Sequence, residues 1–107
     1  MRPRVQRWLD LRFRTGFSEW LSNVYYEEDL AALLNLVDFC EDAEIARRAA
    51  MVVDTMALDM ALNHYRGALG CTHGRSYFRH KVDGRREDTA SAFWLLSGLN
   101  APRVGDM

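Results

Sequence analysis

The residues best suited to chemistry lie in "CTHGRSY", residues 71–77. His73 has an imidazole able to exchange a proton near neutrality. Arg75 can clamp a carboxylate or phosphate with two parallel bonds, and Tyr77 can donate a proton or a hydrogen bond. Gly70 and Gly74 flank His73 and permit the tight turns that expose a side chain. A second group sits in "GFSEWLSNVYYEEDL", residues 16–30. There Glu19 can act as a general acid or base if burial shifts it. Trp20 offers a flat face for stacking on a sugar ring, with Asn23 and Tyr25 as polar contacts beside it. Each group also has a plain structural reading. Glu19 suits a salt bridge or a cap, Asn23 a helix N-cap, and Trp20, Tyr25 and Tyr26 a packed helix entry. "CTHGRSY" suits a turn closed by local hydrogen bonds, and His64 a contact at a helix end. Cys71, His73 and His80 do not match a zinc spacing, so no metal or other cofactor is expected.

The elements that must position these groups follow from periodicity. Tyr26, Leu30, Leu33, Leu34 and Val37 form one apolar stripe, which predicts a helix over about 25–40. Glu27, Glu28 and Asp29 suit the positive end of its dipole, and Ser22 or Asn23 can cap it. A second helix is expected over about 43–63, entered at Glu41 or Asp42, with Ile45, Ala49, Val52, Val53, Met56 and Met60 along one stripe. Its remaining faces are nearly as apolar, so it needs neighbours on several sides. Residues 64–87 read as a loop, with room for a short strand. A third helix is expected over about 88–98, starting at Asp88 or Thr89 and stopping near Gly98. Residues 5–14 alternate through Leu9, Leu11 and Phe13, which fits either a short strand or the end of a helix.

With 107 residues the chain makes one small domain at most, and 49% hydrophobic against 27% charged residues excludes a disordered polymer. The net charge of -1 gives no global argument for nucleic acid. The charge is unevenly spread: residues 1–14 hold five arginines and one acid, and residues 27–63 nine acids and two bases. The apolar run near 43–62 is broken by Glu44, Arg47, Arg48, Asp54 and Asp59, so no membrane span is expected. No signal-peptide pattern follows Met1, and a genuine N-terminus implies a cytoplasmic protein.

The link between the first two helices is two or three residues, which forces an antiparallel αα-hairpin. The start of one helix and the end of the other then share a face. Glu19, Asn23, Tyr25, His64, His73, Arg75 and Tyr77 are expected to edge one surface there, with Trp20 as a platform. Cys40 and Cys71 fall at opposite ends of the hairpin, beyond disulfide reach. The expected fold is all-α: a hairpin, a third helix and a long loop forming one partial helical domain over 1–107. Its apolar second helix calls for the rest of a larger domain or for self-association.

"GFSEWLSNVYYEEDLAALLNLVDF", "ARRAAMVVDTMALDMAL" and "GCTHGRSY" carry a resemblance over about residues 5–98. The chain resembles a segment of large bacterial proteins with (α/α) toroids, similar to heparinase- and alginate-lyase-type polysaccharide lyases and to toroid glycosidases. The resemblance implies a fragment of a carbohydrate-active enzyme, with an acidic, uronate-containing polysaccharide as its partner. Arg75 would neutralise the uronate, His73 or Tyr77 would exchange the proton, and Trp20 would stack on a sugar. Glu19 would matter more in a hydrolysis. The Asn-Asn-His motif of alginate lyases is absent. The alternatives are a non-catalytic helical module that binds a glycan or a partner protein, and a truncated, inactive fragment.

Overall fold

The computed structural model describes residues 1–71 and 73–98 and is all-α in character. Among the described residues five α-helices run in the order α1 (Arg2–Thr15), α2 (Tyr25–Phe39), α3 (Ala43–Leu62), α4 (Phe78–Val82) and α5 (Thr89–Ser97). Between α3 and α4 lies a two-stranded hairpin, β1 (His64–Tyr65) and β2 (Ala68–Leu69). A 3-10 turn at Gly84–Arg86 precedes α5.

The α2–α3 hairpin forms as the short link requires. Asp42 caps α3 by accepting from the amides of Glu44 (3.1 Å) and Ile45 (3.3 Å). Its carboxylate also pairs with Arg2, which ties the start of α1 to the entry of α3. That Arg2 bond, ahead of the two capped amides, holds Asp42 below the usual carboxylate range. In the next turn Glu44 bonds Arg47 and Arg48, which lower its pKa from 4.5 to about 2.

α3 is the centre of the molecule: α2 packs on one side of it, α1 on another, and α5 touches both α2 and α3. Ile45, Ala49, Val52, Met56 and Met60 of α3 meet Tyr26, Leu30 and Leu33 of α2, Leu9 of α1 and Phe93 of α5 in one core. Leu34, expected in the same stripe, is instead 46% exposed. The buried arc of α2 is centred on Leu33 and Tyr26, and Leu34 lies one residue, or about 100° of helix, beyond it.

Residues 5–14 are helix, not strand. Leu9 is buried while Leu11 and Phe13 are both exposed, so the alternation carries no sheet face. Pro3 fits the first turn, Arg12 and Arg14 suit the last, and Gly16 (φ 71) stops the helix with its N–H on the Arg12 carbonyl. The segment expected as a loop also holds more order among its described residues, 64–71 and 73–87. Arg66 and Gly67 both have positive φ, as a two-residue turn joining antiparallel strands requires. The third helix ends as expected on Gly98, at φ 72.

Val24 holds the cap position of α2 in a helical conformation and makes no side-chain cap, but Ser22, one of the two expected caps, accepts from the Tyr25 amide at its Oγ (3.4 Å). Leu21 (φ 54) turns the chain sharply so that Leu21, Ser22 and Asn23 all point inward. Asn23 is drawn to a partner outside the helix, described below.

Two measurements test this packing. Leu33→Ala should lower the unfolding free energy by about 2–5 kcal/mol in a urea titration, while Leu34→Ala should change it by less than about 0.5 kcal/mol. The second concerns Tyr26, whose phenol is buried without a hydrogen-bond partner. Burial pushes it up to about 12, against a smaller opposing pull from the Leu21 backbone. A raised folded pKa means that its contribution is complete below pH 10 and is lost as the pH climbs towards 12. Tyr26→Phe should flatten that alkaline loss in a series of thermal melts.

Candidate functional site

Residues 16–24 form the entry to α2, and residues 70, 71 and 73–77 follow the β-hairpin. The antiparallel arrangement brings both to the end of the molecule where α3 terminates. Trp20 Nε1 donates to Asp59 Oδ2 near that end at 3.3 Å. Phe17 packs edge-on against Tyr26 (6.1 Å, 68°) and Trp8 (6.0 Å, 74°), so α1 and α2 are joined through one aromatic row.

Glu19, Tyr25, Arg75 and Tyr77 come together there. Arg75, at φ 63, directs its guanidinium over the Tyr25 ring at 4.9 Å, and its Nε donates to Glu19 Oε2 at 3.3 Å. The Tyr77 hydroxyl, and then the Glu19 carboxylate, fix Arg75 still more firmly in its charged form. Arg75 is therefore already engaged by a carboxylate and two phenol rings.

His73 and Asn23 do not share that surface. The side chains of His73 and Glu87 are 6% and 4% exposed, with His73 Nε2 2.6 Å from Glu87 Oε1. Ser76 Oγ lies 3.0 Å from the same nitrogen and 3.3 Å from Glu87 Oε1. His73 Nδ1 is 2.7 Å from the Cys71 carbonyl, which can only accept, so Nδ1 carries a proton. This cluster pins Cys71, His73 and Ser76 to the residues just before α5 and turns His73 away from solvent. Glu87 carries no motif of its own, and its role depends on a chain reversal over fourteen residues.

Asn23 is fully buried, and its Nδ2 lies 3.0 Å from His80 Nδ1. The Tyr77 amide donates to the same nitrogen at 3.1 Å. A backbone amide can only donate, so His80 Nδ1 turns its single lone pair to the Tyr77 amide, with the Asn23 side-chain nitrogen beside it. That leaves Asn23 Oδ1 buried without a partner. Asn23 thus anchors α4 instead of capping α2. His64, expected as a helix-end contact, lies in β1 and stacks on Phe93 at 3.2 Å; burial pushes its imidazole pKa down.

An open cleft of about 280 Å³ lies between α1 and the entry of α2. Trp8, Phe17 and Tyr25 supply its aromatic surface, and Arg12, Glu19, Asp29 and Ser18 its polar groups. The Arg12 guanidinium lies over Trp8 (5.6 Å) and Phe17 (5.5 Å). Among the described residues it makes one hydrogen bond, from Nη1 to the Gly16 carbonyl at 3.1 Å, and its buried Nε has no partner. Burial raises the pKa of Asp29, and nearby Arg12 pulls it back down. Glu19 and Tyr25 were legible in the sequence as members of this site. Trp8, Arg12 and Asp29 were not, because they become neighbours only when residues 2–15 are read as helix. Trp20 is half-exposed but lies outside the cleft lining. Both cysteines are free thiols, and among the described residues no three potential ligands converge as a metal cage.

The His73–Glu87 contact gives the clearest test of this construction. Glu87→Ala leaves a buried imidazole without its partner and should cost about 3–5 kcal/mol in urea unfolding. A loss below about 1 kcal/mol would show that the cluster does not hold the loop. No family model, curated protein or solved structure matches this chain.

Proposed function

We propose that the chain is a non-catalytic helical module that binds a uronate-bearing glycan in the cleft between α1 and α2. The observation that carries this reading is the Arg12 guanidinium, set among three aromatic rings with most of its donors uncommitted among the described residues. A planar donor fork suits a carboxylate, and aromatic faces suit the C–H surface of a sugar ring. Arg12 thus takes the part that the resemblance would give to Arg75, because Arg75 is neutralised by Glu19. Glu19 and Asp29 can accept from sugar hydroxyls.

Binding is favoured over elimination by where the proton-transfer groups lie. The His73 side chain is interior, locked between Glu87, Ser76 and the Cys71 carbonyl. Tyr77 sits beside Arg75, outside the cleft lining. A lyase would need a base facing the sugar, and the cleft offers the carboxylates of Glu19 and Asp29 and the phenol of Tyr25, whose ring the Arg75 guanidinium covers.

Titration with a uronate oligosaccharide, followed by tryptophan fluorescence and calorimetry, tests the proposal. Tyr25→Ala should abolish binding of the uronate oligomer. Arg12→Gln should weaken that binding about tenfold or more while leaving a neutral oligosaccharide of the same length unaffected, as loss of one charge-assisted pair predicts. Equal affinity of wild type and Arg12→Gln for the uronate would remove the proposal's basis. Unsaturated product accumulating on incubation with the polymer would return the chain to the enzymes.

A further inference from the structure

α1 and α2 each carry an exposed stripe that the fold leaves uncovered. On α1, Arg4, Trp8 and Leu11 follow one another at helical spacing, with Arg7 and Arg14 alongside, and all five are exposed. On α2, Glu27, Ala31, Leu34 and Asp38 follow the same spacing and are also exposed. The two stripes share one design: an apolar centre with charges at the ends. The signs are opposite, basic on α1 and acidic on α2. Among the described residues, Arg4, Arg7, Glu27 and Asp38 form no ion pair, while Arg14 bonds Asp10. Arg4 and Arg7 on α1 and Glu27 and Asp38 on α2 are therefore exposed charges with no ion-pair partner among the described residues.

We propose that copies of this chain associate head to tail, the outer face of α1 in one copy seating on the outer face of α2 in the next. Laid antiparallel, the stripes set Arg4 beside Asp38, Trp8 and Leu11 against Leu34 and Ala31, and Arg14 beside Glu27. The large Trp8 and the small Ala31 lie in the same apolar centre, so the two backbones can approach closely. Each stripe spans about 16 Å from its first to its last charge, so the ends meet in register. The same faces cannot pair with themselves, because arginines would meet arginines and carboxylates carboxylates. The contact is therefore heterologous, and it propagates into a ring or a filament instead of closing as a twofold dimer. It does not depend on the glycan cleft. Trp8 alone borders both surfaces, so the test uses other residues.

Sedimentation velocity over a concentration series, in about 0.01 M and about 1 M salt, reads the outcome, because screening shortens from about 30 Å to about 3 Å between them. At low salt the mass should rise to at least twice that of the monomer, and at high salt it should fall back. Arg4→Glu with Arg7→Glu should be monomeric, and so should Glu27→Lys with Asp38→Lys. An equimolar mixture of the two variants should associate again, since the unaltered α1 face of one variant then meets the unaltered α2 face of the other. Circular dichroism checks that these surface changes leave the helices intact. If reversal disturbs folding, Arg4→Gln and Asp38→Asn should still weaken association. A wild-type chain that stays monomeric at low salt would overturn the proposal. So would association that both reversals leave unchanged, or a mixture that stays monomeric, which would mark an isologous contact or a different partner.

Discussion

Every helix longer than two turns in this protein rests on α3. Its sequence is apolar round nearly the whole circumference, and a helix of that kind is stable in water only when neighbours cover it. The three-residue link at Cys40–Asp42 lays α2 along one side, and Leu9 of α1 fills the next arc. Phe93 of α5 closes the core near the end of the hairpin. The covering is unfinished, however: Leu58 and Leu62 remain 57% and 73% exposed. The small size of the chain sets this limit, because three flanking helices cannot enclose a twenty-residue helix on all sides.

The end of the hairpin is built differently, from polar groups withdrawn from water. Two histidines act there as staples rather than as reagents. His73 joins its own loop to α5 through Glu87, and His80 joins α4 to the α2 entry through Asn23. Such contacts replace hydrophobic burial in a region of short elements, where little apolar area can be covered. They also free the outer residues of the same loops. Arg75 and Tyr77 reach outward to Glu19 and Tyr25 because His73, between them in the chain and the core, reaches inward.

The cleft and the two charged stripes share a cause. α1 and α2 both pack on α3 and meet each other chiefly through Phe17, so they diverge elsewhere. The space where they separate is the cleft, and the faces turned away from α3 are the stripes. One packing decision about α1 therefore governs both surfaces on which a ligand or a second copy can act.

Much of the fold was legible in the sequence. The stripe of Ile45, Ala49, Val52, Met56 and Met60, the cap at Asp42 and the stop at Gly98 are local signals, and local geometry determines them. The short link added the antiparallel hairpin, and with it the meeting of Glu19 and Tyr25 with Arg75 and Tyr77. What tertiary structure alone decided is which way each polar side chain turned. Asn23 suited a cap, but His80, fifty-seven residues away, offered a better partner for its amide. His73 lies between glycines that permit exposure, yet Glu87 drew it inward. Arg12 became the cation of the cleft only once residues 2–15 formed a helix against Phe17. Periodicity tells which face of an element is apolar, but a hydrogen bond between distant residues leaves no trace in the spacing of either.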